Sequence, residues 1–139
     1  MKIAFIIIAR RVYIFSALLL LSACASTYRA PDLPIGGDSA IAILEPAIFD
    51  RGAKFFITKI DGKFRGVGWF NRFELVPGRR EITAGLNPHD FKGSEITRFF
   101  TAEAGKKYLF VVKDDPVAMR WSFSILESST GRRVDSVTP

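Results

Sequence analysis

From Ala40 onward the apolar period of this chain is two rather than 3.6, and no ten-residue stretch after Cys24 keeps a helical period. A period of two places apolar side chains on one face of a pleated strand and polar ones on the other. Arg80, Ile82, Ala84 and Leu86 alternate with Glu81, Thr83 and Gly85. Trp121, Phe123 and Ile125 alternate with Arg120, Ser122 and Ser124, and Phe73 and Leu75 bracket Glu74. The run Tyr108 to Val112 is apolar throughout, which predicts a central strand buried on both faces.

Turn residues separate these runs. Asp61-Gly62 is a hairpin signal, and Pro77-Gly78 marks a second turn. Ala104-Gly105-Lys106 and Asp114-Asp115-Pro116 flank the apolar run, and Ser129-Thr130-Gly131 leads into a short last strand at 132–134. Seven or eight short strands spaced in this way predict an all-β domain over residues 40–139, an antiparallel β-sandwich or small barrel. About 100 residues suffice to bury somewhat more than 60% of the unfolded surface.

The segment before this domain has a different character. Lys2, Arg10 and Arg11 supply positive charge. Val12 to Leu21 is apolar except for Ser16, and the small residues Ser22 and Ala23 precede Cys24. Positive region, short apolar stretch and small-residue exit predict a secretory signal peptide over 1–23. The stretch from Val12 is shorter than the roughly 20 residues a bilayer core requires. Reading it together with Ile3–Ala9 would put two arginines near the middle of a span, at about 2.5–3.5 kcal/mol each.

Leu21-Ser22-Ala23-Cys24 resembles the lipobox of bacterial lipoproteins. The resemblance implies a diacylglycerol on the Cys24 sulfur and cleavage between Ala23 and Cys24. A thiol is the nucleophile that can carry a thioether lipid, and Cys24 is the single cysteine. Ala25 in place of Asp implies the outer membrane, with the domain on the periplasmic side. Two or three acyl chains make a stable anchor where one is marginal, so the membrane is an expected partner through the lipid. Residues 24–39, interrupted by Pro31, Pro34, Gly36 and Gly37, read as a flexible tether. It would span roughly 50 Å extended and about 20 Å as a coil, letting the domain stand off the bilayer.

The run "KIDGKFRGVGWFNRFELVPGRREITAG", followed by "FFTAEAGKKYLFVV" and "RWSFSILESSTGRRV", resembles a set of bacterial lipoproteins with a PEGA-like β-sandwich, over about residues 41–134. The resemblance implies turn roles for Asp61, Gly62, Pro77, Gly78 and Gly105 and a core role for Tyr108. It implies no catalytic residue.

Charge narrows the function classes. The chain carries a formal +6, but without Lys2, Arg10 and Arg11 seventeen Lys and Arg face fourteen Asp and Glu, a net +3. That is weak support for a nucleic-acid partner, and none is expected. With one cysteine and one histidine the chain cannot assemble a Cys/His zinc cluster, and no cofactor or metal is expected. Gly37-Asp38-Ser39 matches the start of a lipase nucleophile block, but it is also ordinary linker composition, and the rest reads as strands.

Trp69, with Arg65 and Arg72 nearby, forms an aromatic–basic stretch that is either core or a ligand surface; sugar stacking is the binding chemistry that suits it. His89, beside Asp90, joins it as a candidate. The basic pairs Arg79-Arg80, Lys106-Lys107 and Arg132-Arg133 would bind anions if two of them converged. The expected function is a non-enzymatic envelope module binding a protein or glycan, with a hydrolase using His89 as the alternative.

Overall fold

The computed structural model describes residues 26–47, 55–86, 95–115, 117–118 and 120–138. The alternating runs become strands: β1 Thr27–Arg29, β2 Ala42–Pro46, β3 Phe55–Ile60, β4 Lys63–Phe64, β5 Arg72–Leu75, β6 Gly78–Leu86, β7 Ile96–Ala102, β8 Lys107–Asp115 and β9 Arg120–Glu127. A 3-10 turn at Gly37–Ser39 is the one helical piece among the described residues. The strands form two sheets, in the orders β1-β5-β2-β8-β9 and β4-β3-β6-β7.

One apolar core joins the two sheets in a sandwich-like arrangement. The five-stranded sheet contributes Ala42, Leu44, Phe73, Leu75, Tyr108, Phe110, Phe123 and Ile125. The four-stranded sheet contributes Ile57, Ile60, Ile82, Ala84, Phe100 and Ala102. These are the inward positions of the two-residue alternation, and burying them is the main favourable term in folding. Tyr108 spans the layers: its ring packs edge-on against Phe100 at 5.0 Å. Its hydroxyl accepts from the Glu103 amide at 3.0 Å and donates to the Thr101 carbonyl at 3.5 Å. A buried tyrosine needs such partners for its polar tip.

The four-stranded sheet is antiparallel throughout. The five-stranded sheet is mixed, a departure from the expected antiparallel arrangement: β1 runs parallel to β5, and β2 parallel to β8. Parallel neighbours need a long crossover. Here the chain between β2 and β8 supplies it by building the whole second sheet and β5.

Of three predicted turns one keeps its sequence reading and two differ in role. Asp61-Gly62 is a hairpin turn, with φ of 51° and 72°, as the left-handed pair of a tight turn requires. Pro77-Gly78 is instead the corner where the chain leaves β5 for the other sheet, and Gly78 takes φ 118° there, a region open to glycine. Ala104-Gly105 makes a second crossing, from β7 to β8.

Residues 132–134 form no strand of their own. The tail is a strap: Arg133 bridges to Leu126 on β9, and Ser136 bridges to Phe99 on β7. β9 and β7 are outer strands of their sheets, so the strap covers open strand edges that would otherwise invite pairing with other chains.

The other departures concern burial. Tyr108 and Phe110 are buried, but Leu109, Val111 and Val112 are half-buried, so β8 is covered fully on one side only. Glu74 and Thr83 are buried although they occupy polar positions. Thr83 is satisfied by the Thr97 hydroxyl at 2.9 Å, and its carbonyl accepts from the Thr58 hydroxyl at 3.2 Å. Thr27–Arg29 and Gly37–Ser39 lie in the segment expected as a flexible tether, yet they belong to the domain. Tyr28 packs on Phe70 and Phe73 at 6.0 and 5.9 Å, and that contact holds a strand too short for its pattern to show in the sequence.

Candidate functional site

The connection from β4 to β5, residues 65–71, carries the aromatic–basic stretch. Arg65 organises it. Its guanidinium lies over the Phe70 ring at 4.8 Å and over Phe56 at 5.6 Å. Its Nη1 donates to the Gly68 carbonyl at 2.7 Å, and its Nε donates to the Ile57 carbonyl. Burial lowers the Arg65 pKa from its ordinary value, though an arginine stays charged. Arg65 therefore clamps the loop and offers little charge to a ligand.

Arg72 is also engaged. Its side chain is 23% exposed and reaches Asp38 at 2.8 Å, Glu74 at 3.1 Å and Glu45 at 3.8 Å. Burial opposes its charge, but hydrogen bonds to Asp38 and Glu74 and their negative charges outweigh this and raise its pKa. Arg29 binds the other oxygen of Glu74 at 3.0 Å. Two guanidiniums thus face three carboxylates, which leaves no positive excess for an anionic ligand. The burial of Glu74 follows: a buried carboxylate persists when it is paired.

Trp69 is the member of the stretch that faces outward. It is 46% exposed, and Phe64 and Val67 beside it are 66% and 94% exposed. Tyr28 and Phe73, by contrast, point inward; burial first, and the charge of Asp61 second, raise the Tyr28 pKa. The stretch is therefore divided: Phe73 is core, Arg65 and Arg72 hold structure, and Trp69 with Phe64 and Val67 makes an exposed apolar surface. His89, Cys24, Leu21, Ser22 and Ala23 lie outside the described residues.

Two of the basic pairs do converge, but on a carboxylate. Lys106 and Arg132 reach Glu127 at 3.0 and 3.7 Å, and Lys106 also reaches Glu103 at 3.0 Å. Arg80 pairs with Asp61 at 2.7 Å, and Arg133 with Asp135 at 2.9 Å. Arg79 lies over the Phe99 ring at 5.8 Å. Ser39 donates its hydroxyl to the Gly36 carbonyl at 3.2 Å, so in this turn it serves the backbone. Among the described residues no group of three His, Cys, Asp or Glu is arranged to hold a metal ion. The carboxylate partners were not legible beforehand because Asp38, Glu74 and Glu127 are far in sequence from most of the cations they meet.

Glu127 sets a pH dependence. A hydrogen bond from Lys106 first, then one from Thr130, lowers its pKa; Glu95 is lowered likewise, first by Lys59. A carboxylate depressed in the folded state stabilises fully above its unfolded value, about 4.3, and that contribution is lost as the pH falls through the folded value. The urea midpoint should therefore fall below about pH 4. Glu127→Gln should lower the midpoint at pH 7 and leave it close to wild type at the acid end. A Gln variant that tracks the wild type at every pH would remove Glu127 from this account.

No protein-family model, curated protein or solved structure matches the chain. The class defined by fold is therefore a nearly all-β, two-sheet domain with an exposed aromatic loop.

Proposed function

We propose that this chain is a lipid-anchored envelope lipoprotein, acting as a non-enzymatic binding or structural module on the periplasmic face of the outer membrane. The observation that carries the reading is Leu21-Ser22-Ala23-Cys24 at the end of a short apolar run led by Arg10 and Arg11. Ala25 supports the outer membrane over the inner one. The two sheets are read as a PEGA-like sandwich, with the tight turn at Asp61-Gly62 and the buried Tyr108 in its favour. The non-enzymatic role draws support from the way Arg72, Lys106, Arg80 and Arg133 are each neutralised by a carboxylate of the same domain. The exposed apolar side chains Phe64, Val67 and Trp69 are the surface such a module leaves open for contact with the envelope.

Cys24→Ser tests the anchor. Cells given radiolabelled palmitate should label the wild type and not the variant, and the variant should accumulate as uncleaved precursor. Label appearing on the serine variant would end the lipobox reading.

A further inference from the structure

The placement of β1 brings two features together that the sequence separates by about forty residues. β1 runs parallel to β5, with Thr27 opposite Arg72. The start of β1 therefore lies beside the start of β5, where the exposed loop ends, and the Asn71 amide donates to the Ser26 carbonyl at 3.2 Å. Cys24 is two residues upstream of Ser26, so chain length alone holds it within about 7 Å of that carbonyl's residue.

The same end of the five-stranded sheet carries a second exposed apolar tip. β2 runs antiparallel to β5, and β8 parallel to β2. The turn from β8 to β9 thus falls at the end where β1 begins. Val117 sits in that turn and is 94% exposed. Phe55, which opens β3, packs on Trp121 at the start of β9 at 5.0 Å, so the second sheet is oriented the same way. Phe64, Val67, Trp69 and Val117 are four of the six large apolar side chains that stand exposed among the described residues. The last three lie toward the end from which the chain runs back to Cys24, and Phe64 leads into the loop that carries Val67 and Trp69.

We infer that this end of the domain rests on the lipid bilayer, with Trp69 and Val67 seated in the interface beside the acylated Cys24. The inference rests on the lipid-anchor reading of Cys24. A tryptophan with an apolar body and one N–H suits the membrane–water boundary. Exposed apolar side chains gain by leaving water, and a lipid three residues before β1 keeps them near the surface, which lowers the entropy cost of the contact. The contact is apolar rather than electrostatic: the two basic residues near Val117, Lys113 and Arg120, are equalled in number by two acidic ones, Asp114 and Asp115. The acyl chains supply the anchorage, and the loop sets the orientation. A domain held in this way does not stand off on residues 24–39 as a free tether, since β1 has already taken up part of that segment.

The test uses the full chain, processed in cells and reconstituted into vesicles of phosphatidylethanolamine and phosphatidylglycerol with brominated acyl chains. The chain has two tryptophans, Trp69 and Trp121. Bromine should quench the wild type, and the Trp69→Phe variant should lose most of that quenching. In Trp121→Phe, where Trp69 alone reports, emission should fall about twofold and shift to the blue. A reporter at the opposite end, Ser129→Trp in a chain lacking both native tryptophans, should be unaffected. Mass spectrometry of Cys24 reads acylation separately. An acylated protein whose Trp69 ignores bromine overturns the inference and leaves the lipoprotein reading standing. Trp69 shielded by added peptidoglycan but not by lipid overturns it in favour of a glycan site. An unacylated Cys24 overturns both.

Discussion

Asp135→Ala should lower the thermal midpoint of the domain by about 15 °C, the equivalent of about 3 kcal/mol. The Asp135 side chain is fully buried. One oxygen accepts from the Ile125 amide at 2.7 Å and from Arg133 Nε at 3.0 Å. The other meets Arg133 at 2.9 Å and Arg98 at 3.4 Å. Removing the carboxylate leaves the Ile125 amide without its partner and Arg98, 14% exposed, without its counter-charge. Breaking a buried pair from one side is costly for that reason. It also loosens the strap, since Asp135 lies between the bridges at Arg133 and Ser136. Asp135→Asn keeps an acceptor for Ile125 and should cost less, about 1–2 kcal/mol. Calorimetry on the three proteins checks this; an alanine variant melting within about 3 °C of the wild type would show that the strap is not held by this side chain.

Phe123→Ala should cost about 3–5 kcal/mol, a large share of the stability of a domain this size. Phe123 is 1% exposed. Its ring packs on Phe110 at 4.9 Å and on Trp121 at 6.3 Å, and Arg98 lies over it at 5.9 Å. Arg98 Nε also approaches the Phe123 carbonyl at 3.4 Å. The cavity left by alanine would be lined by strands of both sheets, which limits collapse. Urea unfolding should show a lowered midpoint with an unchanged slope. The two substitutions share Arg98, so the double variant should lose less than the sum of the single losses. Strict additivity would mean that Arg98 does not couple the strap to the core.

The inward positions of the strands were legible from alternation alone. Ile82 and Ala84, Phe73 and Leu75, and Phe123 and Ile125 are all core residues. Asp61-Gly62 was legible as a tight turn because only a left-handed pair makes one there. The burial of Glu74 was not, since its partners Arg29 and Arg72 come together only when β1 joins β5. Nor was the role of Arg65: an arginine among aromatics reads as a ligand surface until Phe56, Phe70 and the carbonyls of Ile57 and Gly68 are found around it. At Trp69 the sequence favoured core packing over a ligand surface, yet the side chain is 46% exposed, because the loop between β4 and β5 follows no period.

By itself the sequence determined an all-β domain, the faces of its strands and the sites of its turns, because each depends on residues one to four positions apart. Only the tertiary structure decided the parallel pairings, the strap across two strand edges, and the neighbours of each buried charge. Those depend on which strands lie side by side, and that is settled by how two apolar faces close over one core, not by any local run of residues.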